Sequence, residues 1–439
     1  MSLATSIVDD VRPIVGAEFL LTGDGLEAFR LGHKRPQVAV MPADEAEVSK
    51  ILALAWEADL AVAPWGGGSH QSIGYPPKRY DLALDLRRLN RLLAHEPADM
   101  TATAQAGIRM ADLQRKLGGH GQFVPLDVSI PERTTLGGVL ATGLSGPLRC
   151  RYGTARDLIL GVRVAHADGT ITKGGAKVVK NATGYDVTKL YLGSHGTLGI
   201  ILEATFRLYP RAEVEQGWWL AAHDLGTAQG LATRILSSHL VPNRVELVDE
   251  VLARPCGISG PGLVVSISGL PETVQGQLVD LERMASEFGA TPTELCDPEG
   301  SWKWLSDFPW SNAGWDGQRL QALWRAGVLP ADCAKAMQAI REAVPRSVEV
   351  AMAATVSHGA LRGRLGAETP ERLVRGLSTA RETLVGLGGY MVVMQLHEAA
   401  RDGIDVWGTP PDGLGVMKRL KAAFDAKGIL NPGRFVGGI

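Results

Sequence analysis

"KNATGYDVTKLYLGSHGTLGIILEATF", Lys180 to Phe206, is the stretch on which the reading of this 439-residue chain turns. Glycines stand at 193, 196 and 199, three residues apart, and an apolar β-branched run follows at once. Glycine loosens the backbone and offers no side chain to pack, so its repetition ahead of a buried strand needs a cause. A glycine-rich loop beside a strand can aim successive N–H groups inward and let phosphate oxygens come close.

Two more loops of this kind precede it. "PWGGGSHQSIG" (Pro64 to Gly74) follows a short strand expected at Leu60 to Pro64, and "TLGGVLATGLSG" (Thr135 to Gly146) follows a short helix expected over Met110 to Leu117. Between them, "DLALDLRRLNRLL" alternates Leu82, Leu84 and Leu86 as in a strand. A helix is expected from Pro42, with Val48, Ile51, Leu52, Ala55 and Trp56 on one face. "DLILGVRVAHADGTITKGG" reads as two strands joined by a turn at Asp168-Gly169. Everything to about Pro210 then forms one α+β unit. Beyond Arg211 strands and helices alternate without glycine-rich loops, and five of the ten tryptophans fall between Trp302 and Trp324.

Bulk properties narrow the function classes. The length calls for two domains or more. A net charge of −2 argues against an electrostatic nucleic-acid binder or a polybasic membrane tether. Cys150, Cys256, Cys296 and Cys333 are far apart and form no C-x-x-C pair, so no zinc ribbon or cysteine-held iron–sulfur cluster is encoded. The start, "MSLATSIVDDVRPIVG", does not resemble a signal peptide, and no apolar run reaches the length of a membrane span. A reduced cytoplasmic protein is the expectation. Neither G-x-G-x-x-G in its strand–helix setting nor G-x-x-x-x-G-K-[ST] occurs, which removes the Rossmann and P-loop nucleotide sites. Three close backbone approaches within 150 residues instead suit a large ligand with a pyrophosphate and a flat ring system.

In order along the chain, "PWGGGSHQSIG", "TLGGVLATGLSG…YGTARDLILGVRV", "KNATGYDVTKLYLGSHGTLGIILEATFRLYP" and "KGILNPGR" resemble the FAD-binding oxidoreductases of the vanillyl-alcohol oxidase type. Within that group the chain is most similar to the glycolate oxidase FAD-binding subunits D and E, with "TLGGVLATGLSGP" and "GGAKVVKNATGYD" leaning to E. The resemblance implies an α+β fold: a two-subdomain FAD-binding (PCMH/VAO-type) domain over 1–210 and an antiparallel-sheet α+β cap over 211–410, the two holding the substrate at the flavin face. A C-terminal helix and turn, 411–439, would return to the cofactor.

It also implies FAD contacts residue by residue. Gly66, Gly67, Gly68, Ser69 and His70 would meet the pyrophosphate. Pro125, Thr135, Gly137, Gly138, Ala141 and Asp157 would line the groove, Gly196, Thr197, Gly199 and Ile201 would offer main chain, and Asn431 would stand near the flavin ring. Some relatives tether FAD through a loop histidine; here His70 follows Gly-Gly-Gly-Ser and reads as a neutral donor to phosphate. His195 reads as packed or solvated. Lys180, Asn181, Tyr185 and Asp186 fit a family pattern and read as a structural brace, with Asp186 capping the next helix.

Oxidation of a 2-hydroxy acid needs a cation for the carboxylate, an acceptor for the hydroxyl proton and a flavin for the hydride. Arg325 in "LWRAGVL" matches an arginine of relatives and is the candidate carboxylate ligand, against a plain surface helix arginine. His358 in "VSHGALRGRL" and His397 in "MQLHEAARDG" are the candidates for the base, His358 foremost. Active D-type relatives build a metal site from "H-x-G-x-G-N-x-H" and "E-H-G". This chain keeps only "SHG", so no metal site is expected. The tryptophan cluster is compatible with a substrate cleft, a partner face or core packing.

Two readings of function follow. In one, the chain oxidises a small 2-hydroxy acid of the glycolate or D-lactate type through FAD, within a complex. In the other, it is a non-catalytic FAD-carrying or electron-relay subunit. The resemblance implies a D-like flavin subunit and an iron–sulfur subunit as partners in either case.

Overall fold

The computed structural model describes residues 3–175, 186–254, 259–311 and 319–439. Lys180, Asn181 and Tyr185 of the expected brace, together with Cys256 and Trp315, lie outside the described residues. The chain forms two compact units: residues 1–145, 154–211 and 409–439 make the first, and residues 146–153 with 212–408 the second. Gly146–Gly153, expected in the first unit from its place between glycine loops, belongs to the second, where the turn Arg149–Tyr152 packs on the strand Pro242–Val248.

The first unit is built on two sheets. A small one has the order Leu20–Leu21, Val38–Val40, Leu82–Asp85, Val62–Trp65, parallel apart from its first pair. The helix Glu45–Glu57 crosses between two of its parallel strands. It begins three residues later than Pro42 suggested, because Asp44 accepts the N–H of Glu47 and caps it, a contact of about 1 kcal/mol. Val48, Ile51, Leu52 and Ala55 bury that helix against the sheet. Leu82, Ala83 and Leu84 are all buried, so the strand read from the leucine alternation is a two-sided core strand.

The other sheet has five strands in the order Leu92–Glu96, Thr101–Gln105, Ile200–Arg207, Ile159–Ala165, Ile171–Gly175, antiparallel throughout. Its last two strands form the hairpin read from the Asp168-Gly169 turn, where Gly169 has φ +86°. Asp186 accepts the N–H and hydroxyl of Thr188 ahead of the turn Thr188–Tyr191, whose N-cap residue is Val187 and not the expected Asp186.

The second unit carries one eight-stranded antiparallel sheet: Thr291–Glu294, Val214–Ala221, Gly262–Gly269, Pro242–Val248, Glu349–Thr355, Ala360–Ala367, Leu320–Gly327, Tyr390–Leu396. The helices Leu225–Leu236, Pro271–Glu287, Cys333–Ala343 and Pro370–Gly386 pack side by side against it. Trp302, Leu305 and Phe308 of the helix Pro298–Asp307 pack with Trp219, Val248, Val264, Ala351 and Ala353. Trp302 and Trp324 are thus core residues, and Trp304 is half-buried against the same cluster.

Candidate functional site

Six chain segments of the first unit converge on one cleft. Its walls come from Pro64 to Ile73, Leu86, Ala106, Thr135 to Thr142, His195 and Gly196 with Gly199 to Ile201, and the C-terminal residues Asn431 and Arg434. The segments are ends of strands from both sheets, the loops beside them and the helix Leu136–Thr142.

The loop 66–71 shows what its glycines do. A Cβ at Gly67 would lie 1.5 Å from the carbonyl oxygen of Arg133, so the missing side chain lets two backbones touch. The glycine thus serves protein-to-protein packing, and the loop so pinned presents its N–H groups. Among the described residues the N–H groups of Gly66, Gly67 and Gly68 donate to no protein acceptor. Consecutive main-chain donors left open in a cleft are an anion nest. Gly196 has φ +68°, and a Cβ there would lie 2.7 Å from Pro64 Cγ, which packs the loop of the opening stretch against the strand that feeds the first loop.

His70 lines the cleft, but its ring is already engaged: Nδ1 lies 2.8 Å from Ser69 Oγ and Nε2 lies 2.8 Å from Ser129 Oγ. Burial, with the Arg133 charge adding to it, lowers its pKa to about 4, so the imidazole is neutral near pH 7. Both ring nitrogens are spent on serines. These contacts hold the loop in place. Ser69 Oγ also meets Thr134 Oγ1 at 3.0 Å, and Thr134 donates to Ser129 O, which closes a small network under the loop.

Asn431 is buried, with φ 45°. Its Nδ2 donates to His195 O at 2.7 Å, which fixes the amide orientation, and its Oδ1 has no hydrogen-bond partner among the described residues. A buried acceptor left open in a cleft calls for a donor from the ligand. Next to it, Arg434 donates to Gln71 O, Gln71 Oε1 and Ile73 O and ties the C-terminal segment to the first glycine loop.

The cleft gathers Gly66, Gly67, Gly68, Ser69, His70, Thr135, Gly137, Gly138, Ala141, Gly196, Gly199, Ile201 and Asn431. Three expected residues lie outside it. Pro125 is buried between the core residues Val124 and Leu126. Asp157 spends its carboxylate on the N–H and hydroxyl of Thr154, which hold its pKa below the usual carboxylate range. Thr197 gives its hydroxyl to Ser194 O. Reading by motif missed Trp65, Gln71, Leu86, Ala106, His195 and Arg434. His195, expected to be inert, sits at φ 53° with its ring centroid 5.2 Å from that of Phe435. "NPGR" followed by an aromatic residue was the available signal for Arg434.

The catalytic candidates belong to the second unit. Arg325 lies on the strand Leu320–Gly327, not on a helix, paired with Arg362 on one side and Val392 on the other. Register puts it on the sheet face of Ala353 and Val248, which carries the Trp302 cluster. Arg362 there pairs with the fully buried Glu246 at 2.7 Å, and Arg244 pairs with Glu215. Arg325 has no ion pair or hydrogen bond among the described residues. Burial lowers its pKa against a raising effect of Tyr390, and the nearby charge of Arg149 lowers it further. A half-buried guanidinium without an acceptor, beside a second cation, is a site that favours an anion. His358 closes the turn between Glu349–Thr355 and Ala360–Ala367, exposed, with Nδ1 2.8 Å from Ser357 Oγ. His397 is exposed and accepts the N–H of Ala399. Among the described residues no group of three or more His, Cys, Asp or Glu side chains is placed to hold a metal ion, and no helix is long and apolar enough to cross a membrane.

Residues 36–175 match the family described as FAD binding domain, and residues 408–435 match that of the C-terminal domain of FAD linked oxidases. The glycolate oxidase subunit GlcD of Bacillus subtilis is 26% identical over 430 residues, covering 91% of this chain and 88% of that protein. The mitochondrial D-lactate dehydrogenase [cytochrome] of Arabidopsis thaliana is 30% identical over 303 residues, covering 66% of this chain and 53% of that protein. Among solved structures, p-cresol methylhydroxylase with substrate bound superposes with a TM-score of 0.76 at 15% identity, covering 98% of this chain and 96% of that one, which shows the fold. With a PCMH/VAO-type α+β fold and both family segments in place, the chain belongs to the FAD-linked oxidase family and is an FAD-dependent oxidoreductase.

Proposed function

We propose that FAD lies in the cleft of the first unit and that the chain oxidises a small 2-hydroxy acid of the glycolate or D-lactate type, working as a subunit of a complex. The cofactor reading rests on the donor and acceptor set. The open N–H groups of Gly66, Gly67 and Gly68 suit a pyrophosphate, Asn431 Oδ1 suits a ring N–H, and Leu86, Ile200 and Ile201 offer an apolar wall for flat rings. FAD, when bound, supplies the acceptor for a hydride from the carbinol carbon.

The substrate reading is carried by one observation: Arg325 is a cation with no partner of its own on a sheet face where Arg362 and Arg244 are already paired. A carboxylate would complete it through two parallel N–H···O bonds. His358 is the group offered to take the hydroxyl proton, leaving a 2-oxo acid as product. The names of the relatives, a glycolate oxidase subunit and a D-lactate dehydrogenase, support the same substrate class.

A second reading is favoured by the placement of the bases. His358 and His397 are both exposed, with local contacts to Ser357 and Ala399, which is weak equipment for proton abstraction. On that reading the chain carries FAD beside a D-like flavin subunit and an iron–sulfur subunit. The absorption spectrum of the purified chain, before and after anaerobic addition of glycolate and D-lactate, separates the two. Bleaching of the flavin bands supports the dehydrogenase. Flavin that remains oxidised with every 2-hydroxy acid supports the accessory subunit, and protein that cannot be loaded with FAD overturns both.

A further inference from the structure

We propose that Lys421 is a positioning residue for the cofactor: its ammonium group latches the C-terminal segment to the opening-stretch loop and thereby sets the shape of the FAD cleft. The proposal rests on the reading that FAD lies in that cleft.

Lys421 stands on the helix Leu414–Phe424 with its side chain 12% exposed, and its three N–H bonds have three acceptors. Nζ donates to Thr197 O at 2.9 Å, to Leu430 O at 2.8 Å and to Asp425 Oδ2 at 2.6 Å. The first acceptor follows Gly196 directly and the second precedes Asn431, and both of those neighbours line the cleft. Asp425, whose side chain is fully buried, also accepts the N–H groups of Ile429 and Leu430.

The same short segment is bound to the strand that feeds the first glycine loop, for Val62 donates to Ile429 O and Asn431 donates to Val62 O. One buried ion pair thus joins three walls: the strand before Gly66–Gly68, the His195–Thr197 turn and Asn431. Burial lowers the pKa of Lys421, and Asp425 opposes that shift. A lysine serves here because its compact head offers three donors in different directions. Nothing in the pair touches the cleft itself. Its effect on FAD passes through the carbonyls of residues 197 and 430 and through the Asn431 amide, whose Nδ2 reaches His195 O only when both segments are in register.

The test compares wild type, K421M, K421R and the double variant K421M/D425N as apoproteins. Two quantities are read for each: the FAD dissociation constant from flavin fluorescence, and the melting temperature without FAD. K421M leaves Asp425 buried and unpaired, so its melting temperature falls as well as its affinity. In K421M/D425N the pair is neutral, and the apoprotein melts closer to wild type. The loss of two charge-assisted bonds to the cleft walls nevertheless keeps FAD about 10- to 150-fold weaker in that variant. K421R keeps the charge, but its larger planar fork does not reproduce three divergent donors, so its FAD affinity falls between those of wild type and K421M. A purely structural role would restore affinity together with stability in the double variant, and that result would overturn the inference. So would K421M binding FAD as tightly as wild type. Wild type that binds no FAD at all would instead overturn the cofactor reading on which the latch depends.

Discussion

Substituting Gly67 by alanine puts the argument about the first glycine loop under direct load. The added Cβ would lie 1.5 Å from the Arg133 carbonyl oxygen and 2.6 Å from its carbon. Ordinary contact requires the two segments to part by about 2 Å, and both sides are backbone, so no rotamer change can relieve the clash. Overpacking of this kind costs about 1–3 kcal/mol of stability. The larger effect falls on the ligand. The loop moves away from residues 131–135, and three N–H groups that share an anion are displaced together. At about 1 kcal/mol for each bond, their loss weakens FAD by about 100-fold. The assay is FAD titration of the apoprotein followed by fluorescence, with urea unfolding measured in parallel. G67A that binds FAD within threefold of wild type would refute the claim that this loop holds the pyrophosphate through its main chain.

Other substitutions read other parts of the argument. Gly276 lies in the helix Pro271–Glu287 with open space where a Cβ would stand, so G276A should raise stability by about 0.5–1 kcal/mol in urea unfolding and leave FAD affinity unchanged. R325M should keep the flavin spectrum and the melting temperature, since a desolvated cation without an acceptor is removed. It should raise the half-saturating hydroxy-acid concentration for flavin reduction about 10- to 150-fold, and an unchanged value removes Arg325 from substrate binding. His70, with a pKa lowered to about 4, takes up its proton more readily in the unfolded chain. Its contribution is whole above about pH 6.5 and fades as pH falls toward 4, by about 3 kcal/mol in all. H70N should therefore show a flatter urea midpoint between pH 7 and pH 4.5 than wild type; equal slopes would mean that His70 titrates normally.

Three features were open to reading from the chain alone because each depends on residues a few positions apart. The Asp168-Gly169 turn, the hydrophobic face of Glu45–Glu57 and the clustering of glycines at 66–68, 137–138 and 196–199 are local matters of backbone conformation and period. Together with the ordered motifs they were enough for the α+β class, the FAD family and most of the cleft wall. Helix onset was less legible, since the cap at Asp44 competes with the proline at 42. The element that carries Arg325 was not legible because a short apolar run has no decisive period, and only pairing with Ala360–Ala367 and Tyr390–Leu396 makes it a strand residue.

What tertiary structure alone decided is who meets whom at long range. Gly67 must be glycine because Arg133 O arrives beside it, and His70 Nε2 meets Ser129 Oγ from a segment 59 residues later. Lys421 meets a carbonyl 224 residues earlier, and the Gly146–Gly153 segment belongs to a unit that its neighbours in sequence do not share. Hydrogen-bond partners and close backbone approaches are set by the packing of whole elements, whereas a local motif records only which conformations its own residues permit.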